Sequence, residues 1–277
     1  MTQRFIVSSN HVFLALKLAS RKSDCECMKT ILKLNDTKTE FLIIGSKHQK
    51  SKSIISNIVI GESQIPPSCD ARNLGVIFDS DMSHKLQVSS TLKAAYHQIR
   101  NIGKIRKYLT TEATQLIVHS LVISRLDTCN SLLYGLPQSQ LRRLQLVQNT
   151  AARLITLTKK RSHITPILID LHWLPVEQRI EFKILTFVFK SLNGLAPSYI
   201  SELLHTYIPG RTGLRSANLH LLQELRSSNS FGDRSFVICA PKLWNNLPTH
   251  IKNCTTLDSF KSLLKTHLFN IAFADDL

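Results

Sequence analysis

The chain has 277 residues, 43% of them apolar, enough to bury the core of one or two domains, which excludes a disordered tail. Thirty-five Lys and Arg against 19 Asp and Glu give a formal net charge of +16, so a polyanion is the first partner to consider. No run approaches the roughly 18–20 apolar residues of a membrane span, and the short run 12–16 ends at Lys17; the sequence therefore predicts no membrane partner, no signal peptide and an intracellular setting, nucleus or cytoplasm.

In chain order, residues 1–37 mix apolar and polar positions, with a helix expected to end near Leu34-Asn35-Asp36, where two turn formers meet. Three runs rich in β-branched and aromatic residues follow, at 39–44, 54–60 and 73–78, separated by breaks such as Pro66-Pro67; they predict a small antiparallel sheet. From residue 83 the pattern becomes helical, over 83–108, 110–133, 137–157, 164–171, 175–193 and 197–205. Ser83 and Thr110 stand where N-caps belong, and Pro137, Pro175 and Pro197 stand near first turns. Gly135 and Gly194 stand where helix ends favour a left-handed residue. A looser stretch, 207–233, precedes two more helices at about 234–246 and 257–271. The expected fold class is α+β and predominantly helical: a small N-terminal sheet, a helical bundle and further C-terminal helices.

Residues 82–162 hold thirteen Lys or Arg and only two acids, Glu112 and Asp127, which places +11 of the net charge in one region. At about 100° per residue, Lys93, His97, Arg100, Lys104 and Lys107 fall within roughly 40° of one line on the helix 83–108. Val88, Leu92, Ala95, Ile99, Ile102, Ile105 and Leu109 take the opposite side, so one rod carries a cationic and an apolar face. Arg106 falls on the apolar side and requires a partner or a snorkelling path. A solvated helix face mixes charge signs, whereas this one carries no acid. The reading is a sequence-independent grip on an RNA or DNA backbone, in which neutralised phosphates release counterions. In the helix 137–157, Leu141, Leu144, Val147, Ala151 and Leu154 are spaced for a core, while Arg142 and Arg153 share another face and extend the same track.

Other chemistry lacks its residues. Cys25, Cys27, Cys69, Cys129, Cys239 and Cys254 match no zinc spacing and read as reduced thiols, so no metal site is expected. No phosphate-binding loop, zinc-protease helix or serine-hydrolase elbow is present. His163, His172 and His267 read as core or surface histidines, and Trp173 and Trp244 as packing anchors.

Several longer motifs add to this reading. Leu34-Asn35-Asp36-Thr37-Lys38-Thr39-Glu40-Phe41-Leu42 and Ala71-Arg72-Asn73-Leu74-Gly75-Val76-Ile77-Phe78-Asp79 are followed by Arg100-Asn101-Ile102-Gly103-Lys104-Ile105-Arg106-Lys107-Tyr108-Leu109 and Ser124-Arg125-Leu126-Asp127. Next come Leu144-Gln145-Leu146-Val147-Gln148-Asn149-Thr150-Ala151-Ala152-Arg153, Leu171-His172-Trp173-Leu174-Pro175, Leu192-Asn193-Gly194-Leu195-Ala196-Pro197 and Ala240-Pro241-Lys242-Leu243-Trp244-Asn245. Over about residues 28–272 the chain resembles the C-terminal part of non-long-terminal-repeat (LINE-type) retrotransposon reverse transcriptases of the chicken-repeat and jockey-like group.

That resemblance implies a layout: residues 1–80 as the end of a palm with a primer-grip-like hairpin, 83–160 as a helical thumb and 161–277 as a C-terminal helical region. It implies that the thumb lies against a template–primer duplex, and that Lys38 matches a lysine able to protonate the leaving pyrophosphate in the intact polymerase. The intact enzyme would use magnesium held by paired aspartates on separate strands. Phe273-Ala274-Asp275-Asp276 spells the family's aspartate motif out of its context. The expectation is therefore a fragment that binds nucleic acid, needs no cofactor and does not polymerise; the alternatives are a translated relic or a helical interaction module reused by a host.

Overall fold

A computed structural model describes residues 4–8, 39–45, 50, 57–60, 63–208, 220–227 and 232–274. The helix expected within residues 1–37, the thiols Cys25 and Cys27, and part of the stretch 207–233 lie outside the described residues. Chain contacts divide the protein into two units, residues 1–90 and 91–277.

The first unit carries short strands, as the β-branched runs require, but their pairing differs from the expected antiparallel sheet. Strands β1 (Arg4–Ser8), β2 (Glu40–Ile44) and β5 (Pro67–Ser68) form a parallel three-stranded sheet in the order β1-β2-β5. Antiparallel pairing is confined to two ribbons, β3 (Ile58–Ile60) with β4 (Ser63–Ile65) and β6 (Asp70–Asn73) with β7 (Val76–Asp79). The run 73–78 is not one strand: it breaks at Leu74 and Gly75, both at positive φ (47° and 88°), the backbone of a tight two-residue hairpin turn. Leu42, Ile44 and Ala71 pack together with Phe78 and Met82 against them.

The helical part follows the sequence periodicity closely. Helix α1 spans Lys85–Ile105 and passes into a 3-10 turn, Arg106–Tyr108. At its start, Asp79 accepts hydrogen bonds from the Ser83 amide (2.9 Å), the Ser83 hydroxyl and the His84 amide (2.8 Å), so the carboxylate tidies the backbone that leads into the helix. Thr110 caps α2 (Thr111–Val118) by accepting from the Ala113 amide.

The single helix expected over 110–133 is subdivided. A π-helical turn, His119–Ile123, follows α2; then come α3 (Ser124–Asp127), a left-handed Cys129 and a 3-10 turn, Asn130–Leu133. Beyond it lie α4 (Gln138–Thr156), α5 (Thr165–Asp170), α6 (Val176–Leu192) and α7 (Ser198–Ser201). The chain closes with α8 (Phe236–Asn245), α9 (Thr249–Lys252), which the periodicity did not predict, and α10 (Leu257–Ala272). Gly135 and Gly194 take the left-handed backbone expected of them, at φ 65° and 68°.

Helix α6 is the axis of the second unit's core. Ile180, Ile184, Leu185, Val188 and Phe189 along it are buried, and the Phe189 ring stacks on Phe260 of α10 at 4.3 Å, with Trp244 of α8 6.0 Å from Phe260. Trp173 and Trp244 are both buried, as packing anchors should be. Three polar side chains link segments inside this unit: Gln148 donates to the Leu174 carbonyl (2.8 Å), Gln145 accepts from the Val176 amide (2.8 Å), and Arg179 pairs with Asp127 through two hydrogen bonds. Among the described residues, no helix is long and apolar enough to cross a membrane.

Candidate nucleic-acid interface

Helix α1 has a buried and an exposed side because its residues alternate at helical spacing. Val88, Leu92, Ala95, Ile99 and Ile102 are buried, whereas Lys93, His97, Arg100, Lys104 and, in the following 3-10 turn, Lys107 are exposed. Ile105, expected on the apolar face, is 45% exposed. Among the described residues no carboxylate pairs with Lys93, Arg100, Lys104 or Lys107; the ion pairs formed involve Lys50, Arg179, Lys242 and Lys261. His97 exchanges a hydrogen bond with Asn101 (3.0 Å), and the Lys107 ammonium sits over the Tyr108 ring at 4.8 Å. At about 1.5 Å rise per residue, Lys93 to Lys104 covers roughly 16 Å. That matches about five nucleotides at ~3.4 Å each along a strand.

Arg106 has a different task from its cationic neighbours. Its side chain is buried, and the guanidinium donates to three backbone carbonyls: Nε to Leu154 (2.9 Å), Nη2 to Ile155 (2.7 Å) and Nη1 to Leu109 (2.8 Å). Leu154 and Ile155 lie in the last turn of α4, whose carbonyls have no helical partner and carry the negative end of the helix dipole. The apparent misfit of an arginine on an apolar face is thus a clasp between the end of α1 and the end of α4.

The two arginines expected to extend the track are placed differently from each other. Arg142 is exposed near the start of α4, beside the equally exposed Arg143, and lines an open cavity of about 370 Å³ with Gln145 and Glu177. Arg153 is half-buried and donates to the Ser162 carbonyl (3.1 Å), so it ties down the loop after α4. Lys38 lies outside the described residues.

No metal centre is assembled among the described residues, where no three His, Cys, Asp or Glu come together. The described cysteines Cys69, Cys129, Cys239 and Cys254 are free thiols. Burial pushes the Cys239 thiol up to about 11, against smaller opposing effects of backbone hydrogen bonding and Lys242, so it remains protonated and inert as a nucleophile. Burial, with His250 nearby, lowers the pKa of His267, which fits a packed neutral histidine.

Neither a protein-family model nor a curated protein nor a solved structure matches this chain.

Proposed function

We propose that this chain binds the sugar–phosphate backbone of a nucleic-acid duplex, without reading sequence, as the thumb and C-terminal region of a LINE-type RNA-directed DNA polymerase would. The observation that carries the reading is the face of α1 on which Lys93, Arg100 and Lys104 are exposed, aligned and unmatched by any described carboxylate. Cations arranged in this way gain little from one another and much from a polyanion that releases counterions. The motifs that resemble such polymerases select a template–primer duplex as the polyanion. In this reading the chain grips the duplex and does not supply the two-metal phosphoryl chemistry.

The test is fluorescence anisotropy with a labelled RNA–DNA primer–template across a sodium chloride series. Affinity is expected to fall linearly with salt on logarithmic axes, at about 0.9 per phosphate neutralised. Replacing Lys93, Arg100, Lys104 and Lys107 together by Gln should flatten that slope by about 3 to 4 and weaken binding alike for all duplex sequences. An unchanged slope and affinity in the folded variant would remove α1 from the interface.

A further inference from the structure

We propose that a cavity in the second unit, between the π-helical turn after α2, the start of α6 and α10, is a binding site for a small phosphate monoester of nucleoside-monophosphate size. It encloses about 400 Å³, which falls within the range of small-ligand sites, roughly 300–1,000 Å³. Its wall combines an apolar base from Trp173, Leu174 and Phe182 with the cationic or basic side chains of His119, His172, Arg179, Lys183 and Lys265.

The charges in this cavity do not balance. Asp127 is its one acidic lining residue and is already joined to Arg179 through two hydrogen bonds. Lys183 and Lys265 are left without a described carboxylate partner, Lys183 lying only over the Phe187 ring at 5.4 Å. A dianionic phosphate supplies the missing counter-charge and accepts hydrogen bonds from both ammonium groups. On the wall, Asn130 is buried and its Oδ1 has no hydrogen-bond partner among the described residues. Its amide nitrogen faces two acceptors, Asp127 and the Arg179 carbonyl, at 3.5 Å, which orients the amide and leaves Oδ1 short of a donor.

Both histidines are presented by irregular backbone. His119 opens the π-helical turn, a form concentrated at functional sites, and His172 sits at φ 52° after α5. The His172 ring is held by stacking on Phe269 at 6.2 Å and by a hydrogen bond between its Nδ1 and the Asp170 carbonyl (3.2 Å). A ring fixed on both sides in a cavity wall is preorganised to meet a ligand. None of these groups belongs to the α1 face, so the inference stands apart from the duplex reading.

Calorimetric titration of the full chain with adenosine 5′-monophosphate, adenosine and a 5′-phosphorylated trinucleotide tests it. The monophosphate is expected to bind and adenosine not to. The double variant Lys183→Gln/Lys265→Gln, altered at exposed positions only, should lose about tenfold in affinity or more, while the Gln variant of the α1 face should bind the monophosphate as the unmodified chain does. Tighter binding of the trinucleotide would mark a strand end as the natural source of the phosphate; equal or weaker binding would mark a free nucleotide. Absence of heat with about 1 mM monophosphate, equal binding of adenosine, or an unaffected double variant would each overturn the proposal.

Discussion

At the scale of single residues, Arg106 shows how far a side chain's role can depart from its charge. Five neighbouring basic groups face solvent, yet this one is buried and spends its donors on three carbonyls. The planar fork matters more than the charge, because it reaches two successive carbonyls of α4 and one of its own strand of backbone at once. Arg106→Lys keeps the charge but cannot span that geometry, and it leaves buried carbonyls short of donors. The variant is expected to lose about 2 kcal/mol or more of unfolding free energy in urea titrations, with primer–template affinity at low salt preserved under folding conditions. Stability equal to that of the unmodified chain would show that the clasp contributes nothing. Sequence periodicity identified Arg106 as an anomaly but could not name its α4 partners, which lie 48 and 49 positions away along the chain.

At the scale of elements, the entry to α1 is governed by Asp79. Burial by itself would raise this carboxyl, but the hydrogen bonds from the Ser83 side chain and from the His84 and Ser83 amides outweigh it and hold the pKa below the ordinary value of 3.8. A carboxyl depressed in the folded state contributes stability that is complete above 3.8 and is lost as pH falls through the lower folded value. Asp79→Ala should therefore cost about 1 kcal/mol at neutral pH, the usual scale for a capping side chain. The difference from the unmodified chain should shrink as pH falls below 3.8; a gap that does not change with acidification would assign the loss to packing instead. Helices with caps and long apolar stripes were legible from the sequence because both signals are local: Thr110, Gly135, Gly194 and, except for Ile105, the stripe along α1 fall where the pattern puts them. The sheet was not legible. Its parallel register joins Arg4–Ser8 to Glu40–Ile44 across a long intervening segment, and an apolar Leu74 occupies a turn position that normally carries Asn or Gly. The exposed α1 face could be drawn from spacing alone, whereas the Arg153 loop contact and the basic cavity required residues far apart in sequence to meet.

At the scale of the whole molecule, the net charge of +16 acts in two opposed ways. In the free protein like charges repel, and the folded state concentrates that repulsion on a smaller volume than the unfolded chain does. Added salt shortens the Debye length from roughly 14 Å at 0.05 M to about 6 Å at 0.3 M and so relieves it. The melting temperature of the free chain is therefore expected to rise over that interval, while the affinity for a duplex falls. With duplex present in excess the order reverses: bound nucleic acid stabilises the fold most at low salt, by about 2.7 kcal/mol at a concentration one hundred times Kd, and progressively less as binding weakens. Thermal melts with and without duplex should accordingly converge as salt increases, and the gap between them at low salt should narrow when the four cations of the α1 face become Gln. A free chain whose melting temperature falls with sodium chloride would mean that its charges are paired across the fold, and the cationic face would then have no surplus to offer a polyanion.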